Sequence, residues 1–252
     1  MTAMIIDAFT QVGTSIHGYG LEPENLLNSM DVHGIDMSVI CPVQPYEYRL
    51  EPGNEYIAEL AQVHPRRLIG FGRVDPRLGD RAIAEVDRIA DELGLRGLFL
   101  HPWEEGYPVN REFVVRVANR AADKKLPVLV AAGYPWVSHA LQVADLAGKA
   151  PRTTFIMTHG GQINISGLAQ ADAYMALKKH DNLLMETSGV YRQDFIEDVI
   201  TGLGAHRVLF GSNSPRMHQG FELDRAVSAT KSYESAQADV LGNNVAALLN
   251  LA

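Results

Sequence analysis

The chain has 252 residues, 46% of them hydrophobic and 21% charged, and a formal net charge of −8. Such a composition suits a globular protein with a substantial core and argues against disorder. The acidic balance is a poor match for nucleic acid or an anionic bilayer, and no apolar run approaches the roughly 20 residues that cross a membrane.

Taken in chain order, short runs rich in Val, Ile, Leu and Phe fall at residues 4–9, 37–41, 68–74, 97–101, 128–131, 154–159, 183–187 and 208–212. They are continuous rather than alternating in polarity, the pattern of parallel strands buried on both faces. The single cysteine, Cys41, lies in the second run, so no intrachain disulfide is possible and a buried strand thiol is expected. Between the runs lie segments with helical spacing. Ile83, Val86, Ile89, Ala90 and Leu93 follow an expected cap at Asp80, residues 111–124 behave similarly, and Val240, Leu241, Val245, Leu248 and Leu249 form one stripe of a closing helix. No repeat, low-complexity stretch or linker interrupts the alternation, and residues 1–252 read as one domain.

Strand–helix alternation predicts an α/β fold with a parallel sheet, and eight units in this length predict a closed (β/α)8 TIM barrel with an additional C-terminal helix. An open doubly wound sheet is the alternative, but no G-x-G-x-x-G follows the first run. In a barrel the active site lies at the strand C-termini. The residues standing there are Phe9 and Gln11, Gln44, Arg73 and Asp75, His101, Ala131, His159, Glu186 and Ser188, and Ser212 and Asn213. The opening residues lack the basic start and long apolar stretch of a secretory leader, so a cytoplasmic protein is expected.

Several of these stretches resemble, in order, the amidohydrolase-related family of metal-dependent hydrolases and decarboxylases. Arg96-Gly97-Leu98-Phe99-Leu100-His101-Pro102-Trp103 is similar to its fourth strand, and Leu126-Pro127-Val128-Leu129-Val130 to its fifth. Thr158-His159-Gly160-Gly161 is similar to the sixth-strand H-x-G motif, and Glu186-Thr187-Ser188-Gly189 to the seventh. Leu209-Phe210-Gly211-Ser212-Asn213-Ser214-Pro215 is similar to the eighth, and Leu241-Gly242-Asn243-Asn244 to the closing helix. The resemblance implies a metal held by a D-x-H-x-H first strand, a fifth-strand histidine, a sixth-strand histidine and an eighth-strand aspartate. Here Phe9 and Gln11 replace the first pair, Ala131 the fifth-strand histidine and Asn213 the aspartate; His159 alone stands in place. Phe9 and Ala131 have no lone pair, Gln11 offers a weak neutral oxygen, and Asn213 cannot take a proton. No metal and no cofactor is therefore expected.

On this reading His159 is the leading candidate for acid–base chemistry, against a structural role holding a loop carbonyl. His101 could donate to a substrate oxygen or anchor its loop. Glu186, after an apolar stretch, could be a buried acid or base, or a partner of Arg73 or a histidine. Arg73 could clamp a substrate carboxylate or pair with Asp75 or another barrel carboxylate. Gln11 and Asn213 could orient a polar substrate or merely fill the gap left by the ligands. Trp103, Tyr107, Tyr134 and Trp136 could line an apolar pocket or pack their loops.

Three functions stay open. The first is a metal-independent hydrolase or lyase, decarboxylase-like, acting on a small and carboxylate-bearing organic molecule through His159 with His101 or Glu186. The second is a non-catalytic family member that binds a ligand or pairs with an intact paralogue. The third is a relocated metal held by His101, His159, Glu186 and Gln11. A small-molecule partner and a homo-oligomer are expected, with no nucleic-acid or membrane partner.

Overall fold

The computed structural model describes residues 4–163 and 169–251. The first three residues, on which the leader expectation partly rests, lie outside them. The strands are β1 (Ile6–Thr14), β2 (Met37–Pro42), β3 (Leu68–Gly70, resuming as Gly72–Arg73), β4 (Leu98–Leu100), β5 (Val128–Val130), β6 (Phe155–Met157), β7 (Leu183–Glu186) and β8 (Val208–Leu209). The helix after each is α1 (Pro23–His33), α2 (Glu51–Val63), α3 (Asp80–Asp91), α4 (Glu112–Asp123), α5 (Ala140–Lys149), α6 (Gln170–Lys179), α7 (Gln193–Leu203) and α8 (Gln219–Thr230).

All these strands pair in parallel with their sequence neighbours, in two sheets. The sheets meet at β3, where the Phe71 amide bonds back to Ile40 of β2 at 3.0 Å and the Gly72 amide turns to Gly97 at 2.9 Å. They meet again where Ala8 N donates to Phe210 O, Asn213 N to Phe9 O and Gln11 N to Ser214 O, each at 2.8 Å. The architecture is the (β/α)8 barrel expected from the alternation. Beyond its pairing with β2, β1 runs on to Thr14 and folds back as an antiparallel hairpin through Gly20–Leu21, which carries Tyr19 over the mouth.

Two apolar layers hold the fold. Inside the barrel pack Ile6, Phe9, Cys41, Phe71, Phe99, Leu129, Ile156 and Leu209; outside, the strands face helices through residues such as Val86 and Ile89 of α3 and Val114 and Ala118 of α4. Each large interior side chain contributes on the order of 2–3 kcal/mol. Gly97 opens the approach to β4 because a Cβ there would come within 2.4 Å of the Phe71 ring. The closing helix, Glu234–Ala238, Asp239–Asn243 and Asn244–Leu248, is π-helical in its middle and sends Val245 and Leu249 into the barrel interior. Asp80 is not the cap expected: Gly79 holds that position, with φ of 61°, and Asp80 is the first helical residue. Among the described residues no helix is long and apolar enough to cross a membrane.

Candidate active site

At the end of β6 the chain makes a tight turn over Thr158–Gly161, and His159 adopts left-handed backbone angles, φ 56° and ψ 26°. A non-glycine residue there stores strain, which structures keep mainly at functional positions. The surroundings fix it firmly. Its amide donates to Glu186 Oε1 at 2.7 Å, and its ring Nδ1 lies 3.0 Å from the Ser188 carbonyl. A carbonyl only accepts, so Nδ1 carries the proton and Nε2 keeps a lone pair. Burial, with the charge of Arg216 as a lesser cause, pushes the imidazole down to about 4, so it is neutral near pH 7.

Glu186 is the underpinning of this turn rather than a group at the mouth. It is fully buried; besides the His159 amide it accepts the Ser188 amide and hydroxyl, both at 2.7 Å. Burial pushes its carboxyl up to about 8, against these donors. Glu186 is thus the buried carboxylate of raised pKa expected from the sequence, and its partners are the His159 amide and Ser188 in place of Arg73 or a histidine ring. Ser188 Oγ sits 3.0 Å from His159 Nδ1 and completes the link.

Arg73 takes the second of its two expected roles, pairing with barrel carboxylates. It has no exposure, and its guanidinium is consumed by Glu105 Oε1 (2.8 and 2.5 Å), Glu104 Oε2 (2.7 Å) and the Pro42 carbonyl (3.3 Å). It is a buried ion-pair centre, with both Nη2 hydrogens and the Nε hydrogen on carboxylates and no exposed face to offer a substrate. Asp75 instead caps the turn at Pro76 and holds Arg77. His101 takes the anchoring role. Its Nδ1 accepts from Glu104 N at 3.3 Å, capping the short helix Pro102–Glu105, and its Nε2 faces Glu104 Oε1 at 3.5 Å. Burial holds this imidazole well below its ordinary value.

Glu104 is the hub of the mouth, and sequence reasoning missed it. Its Oε1 accepts from Arg216 at 2.6 Å and lies 3.1 Å from the Tyr19 hydroxyl and 3.8 Å from His17 Nε2. Despite burial, His101 and the two guanidinium groups hold its carboxyl down at about 2. Glu105, buried beside Arg73, is pushed up by desolvation to about 7. Tyr19, Glu105 and Arg216 were also not anticipated. The adjacent pair Glu104-Glu105 in the loop after the fourth run, and Arg216 in the loop after the eighth, were the available signals.

The neutral amides do meet at the mouth. Gln11 Nε2 donates to Asn213 Oδ1 at 3.0 Å, and Tyr19 approaches Gln11 Oε1 at 3.1 Å. Asn213, like His159, is left-handed, with φ of 53°. Trp103 stacks on Tyr134 at 5.6 Å and 18°, and Tyr134 lies 5.5 Å from the His101 ring. Trp103 is half exposed, giving an aromatic face beside Glu104, whereas Tyr107 is core and Trp136 points to solvent. A cavity of 870 Å³ lies at the opposite end of the barrel, among Met4, Met30, Ile35, Arg67, Arg96 and Leu251.

The residues present do not fit the divalent metal that the family pattern implies. Phe9 fills its position with a ring 5.3 Å from Phe99, Ala131 has no donor, Gln11 and Asn213 bond each other, and His159 has one nitrogen committed to Ser188. Among the described residues no three His, Cys, Asp or Glu side chains are arranged to hold an ion, and the alternative set of His101, His159, Glu186 and Gln11 does not assemble.

Parallel strands in a (β/α)8 barrel with polar side chains gathered at the strand C-termini place the chain among the TIM-barrel proteins. The amidohydrolase family model matches residues 50–251, and the chain belongs to that family. Among solved structures, it is similar to 5-carboxyvanillate decarboxylase from Sphingomonas paucimobilis, with 17% identity, full coverage of both chains and a TM-score of 0.79. It is similar to a dihydroxybenzoic acid decarboxylase from Polaromonas sp. JS666, solved with bound manganese and the inhibitor 2-nitroresorcinol, at 17% identity, 99% and 98% coverage and a TM-score of 0.78. It is also similar to 2,6-dihydroxybenzoate decarboxylase from Rhizobium, at 18% identity, 99% coverage of each chain and a TM-score of 0.76. No curated protein sequence matches the chain.

Proposed function

We propose that this amidohydrolase-family protein is a metal-independent lyase, decarboxylase-like, or hydrolase acting on a small carboxylate-bearing molecule, with His159 as the proton carrier. The observation that carries the reading is the His159 turn: a strained residue at a strand end, with its tautomer set by Ser188 so that Nε2 keeps a free lone pair. A neutral imidazole can take a proton from a substrate hydroxyl or a water and return it to the product, a role worth about 10²–10⁴-fold in rate. Gln11 and Asn213 would orient polar substrate atoms, and Tyr134 with Trp103 would cover a ring. The structural neighbours act on 5-carboxyvanillate and dihydroxybenzoate, so carboxylated phenols are the first compounds to try. Self-association and a cytoplasmic location belong to the same reading.

The test joins metal analysis to turnover. Protein purified without chelator or added metal is expected to hold no stoichiometric transition metal and to release CO₂ or hydrolysis product unchanged after EDTA treatment. His159→Asn, which tolerates the left-handed backbone, is expected to lose turnover about 100-fold or more while keeping its melting temperature. A stoichiometric metal with EDTA-sensitive activity would overturn the metal independence; unaltered turnover in His159→Asn would overturn the role of His159.

One observation favours the second reading, a non-catalytic family member: Gln11, Asn213, Tyr19 and Glu104 hydrogen-bond one another. Ligand binding without turnover across the panel, or co-purification with an intact paralogue, would select it.

A further inference from the structure

The two guanidinium groups at the mouth differ in what they are able to do. Arg73 is fully buried with its Nε and Nη2 hydrogens on the two carboxylates, and its removal would strand Glu105. Arg216 donates at 2.6 Å through Nη2 to Glu104 Oε1, lies with its guanidinium carbon 4.2 Å above the Tyr19 ring, and keeps 30% of its side chain exposed. Glu104 is shared: its other oxygen is held by Arg73 at 2.7 Å. If Arg216 turned away, Glu104 would keep a buried cation, so the exchange leaves no orphan charge.

The position of Arg216 is central. It follows the strand-8 end that carries Asn213, touches the hairpin residue Tyr19 and the β4-loop residue Glu104, and its charge bears on His101, Tyr134 and His159 from the same space. The His101 and His159 imidazoles are neutral at pH 7 and Arg73 is buried, so this partly exposed guanidinium is a cation that an entering anion meets.

Resting on the reading of the mouth as a substrate site, we propose that Arg216 is the specificity-determining residue, exchanging its bond to Glu104 for a bidentate bond to a substrate carboxylate whose ring lies against Trp103 and Tyr134. The planar fork matches a carboxylate, and the flat face stays on Tyr19 during the exchange. An uncharged analogue cannot drive the exchange, because Arg216 would have to give up Glu104 for a weaker acceptor.

The test is isothermal titration with 2,6-dihydroxybenzoate and with resorcinol, the same ring without its carboxylate, using wild type, Arg216→Gln, Arg216→Lys and His159→Asn. Wild type is expected to prefer the acid by about tenfold or more. Arg216→Gln keeps a polar stem and should lose that preference, Arg216→Lys should keep part of it, and His159→Asn should keep all of it. Melting curves matched to wild type show that each variant is folded. The proposal is overturned if wild type shows no preference or if Arg216→Gln retains it. Carboxylate binding that depends on Arg216, without turnover in wild type, would sink the catalytic reading and leave this one standing. Turnover with an unaltered KM in Arg216→Gln would do the reverse.

Discussion

Arg73 and the carboxylates around it are the most heavily charged buried group near the mouth, and removing one partner has a definite cost. Arg73→Met leaves Glu104 with Arg216 alone and Glu105 with no cation, a loss of about 3–5 kcal/mol for a broken buried pair. The deficit should shrink as pH falls from 8 to 5, because Glu105 then neutralises itself by binding a proton. Urea denaturation of variant and wild type at the two pH values checks this; a constant deficit would contradict it. His159 has its own signature. Its imidazole is held down at about 4 from an ordinary 6.5, so between these values the unfolded chain binds the extra proton. Stability therefore rises with pH from 4 to 6.5 and levels above, by on the order of 3 kcal/mol from this group. His159→Asn should flatten that part of the stability curve. These residues were unequally visible in the sequence. His159, Gln11 and Asn213 stand at the ends of apolar runs, so strand periodicity alone brings them to one end. Glu104, Tyr19 and Arg216 meet only because loops from three different strands fold toward one another, which no local pattern records.

At the scale of elements, the closing helix does more than end the chain. Its π-helical turn brings Gly242 against the start of β1, where a Cβ would stand 1.8 Å from the Met4 carbonyl. Gly242→Ala is expected to cost about 1–3 kcal/mol through overpacking, with little change in turnover per folded molecule. Thermal melting and a rate measurement on the folded fraction check the two halves of that statement. The apolar runs located every barrel strand, but several overshot it. Ala131, His159 and Ser212 continue the buried character of β5, β6 and β8 while their backbones already turn into the mouth. Hydrophobicity reports burial, and at the ends of a barrel burial outlasts strand pairing. Asp80 failed as a cap because Gly79 supplies the positive φ that the turn from β3 requires.

For the whole molecule, the two cores share every strand: one fills the barrel and the other joins it to the helices. We propose that residues 1–252 fold as one domain. A single cooperative transition is expected, with far-UV circular dichroism and the fluorescence of Trp103 and Trp136 coinciding; separated transitions would overturn it. The barrel was readable because its eight-fold alternation is global and repeated, so an error at one element does not alter the count.

The filling of the first-strand position also constrains the history open to this sequence. Phe9 is packed against Phe99 inside the barrel, and Gln11 and Asn213 satisfy each other across the seam. Phe9→His by itself would exchange a packed ring for a buried imidazole without a ligand to hold. Asn213→Asp by itself would place a carboxylate in a closed polar network, and Gln11→His would withdraw the donor that Asn213 uses. Each single step back toward a metal centre is penalised until the others are present. The mouth thus acts as a ratchet: restoring the family's ligand pattern would require several interior replacements to arrive together, whereas tuning of the present amide network is open to one change at a time.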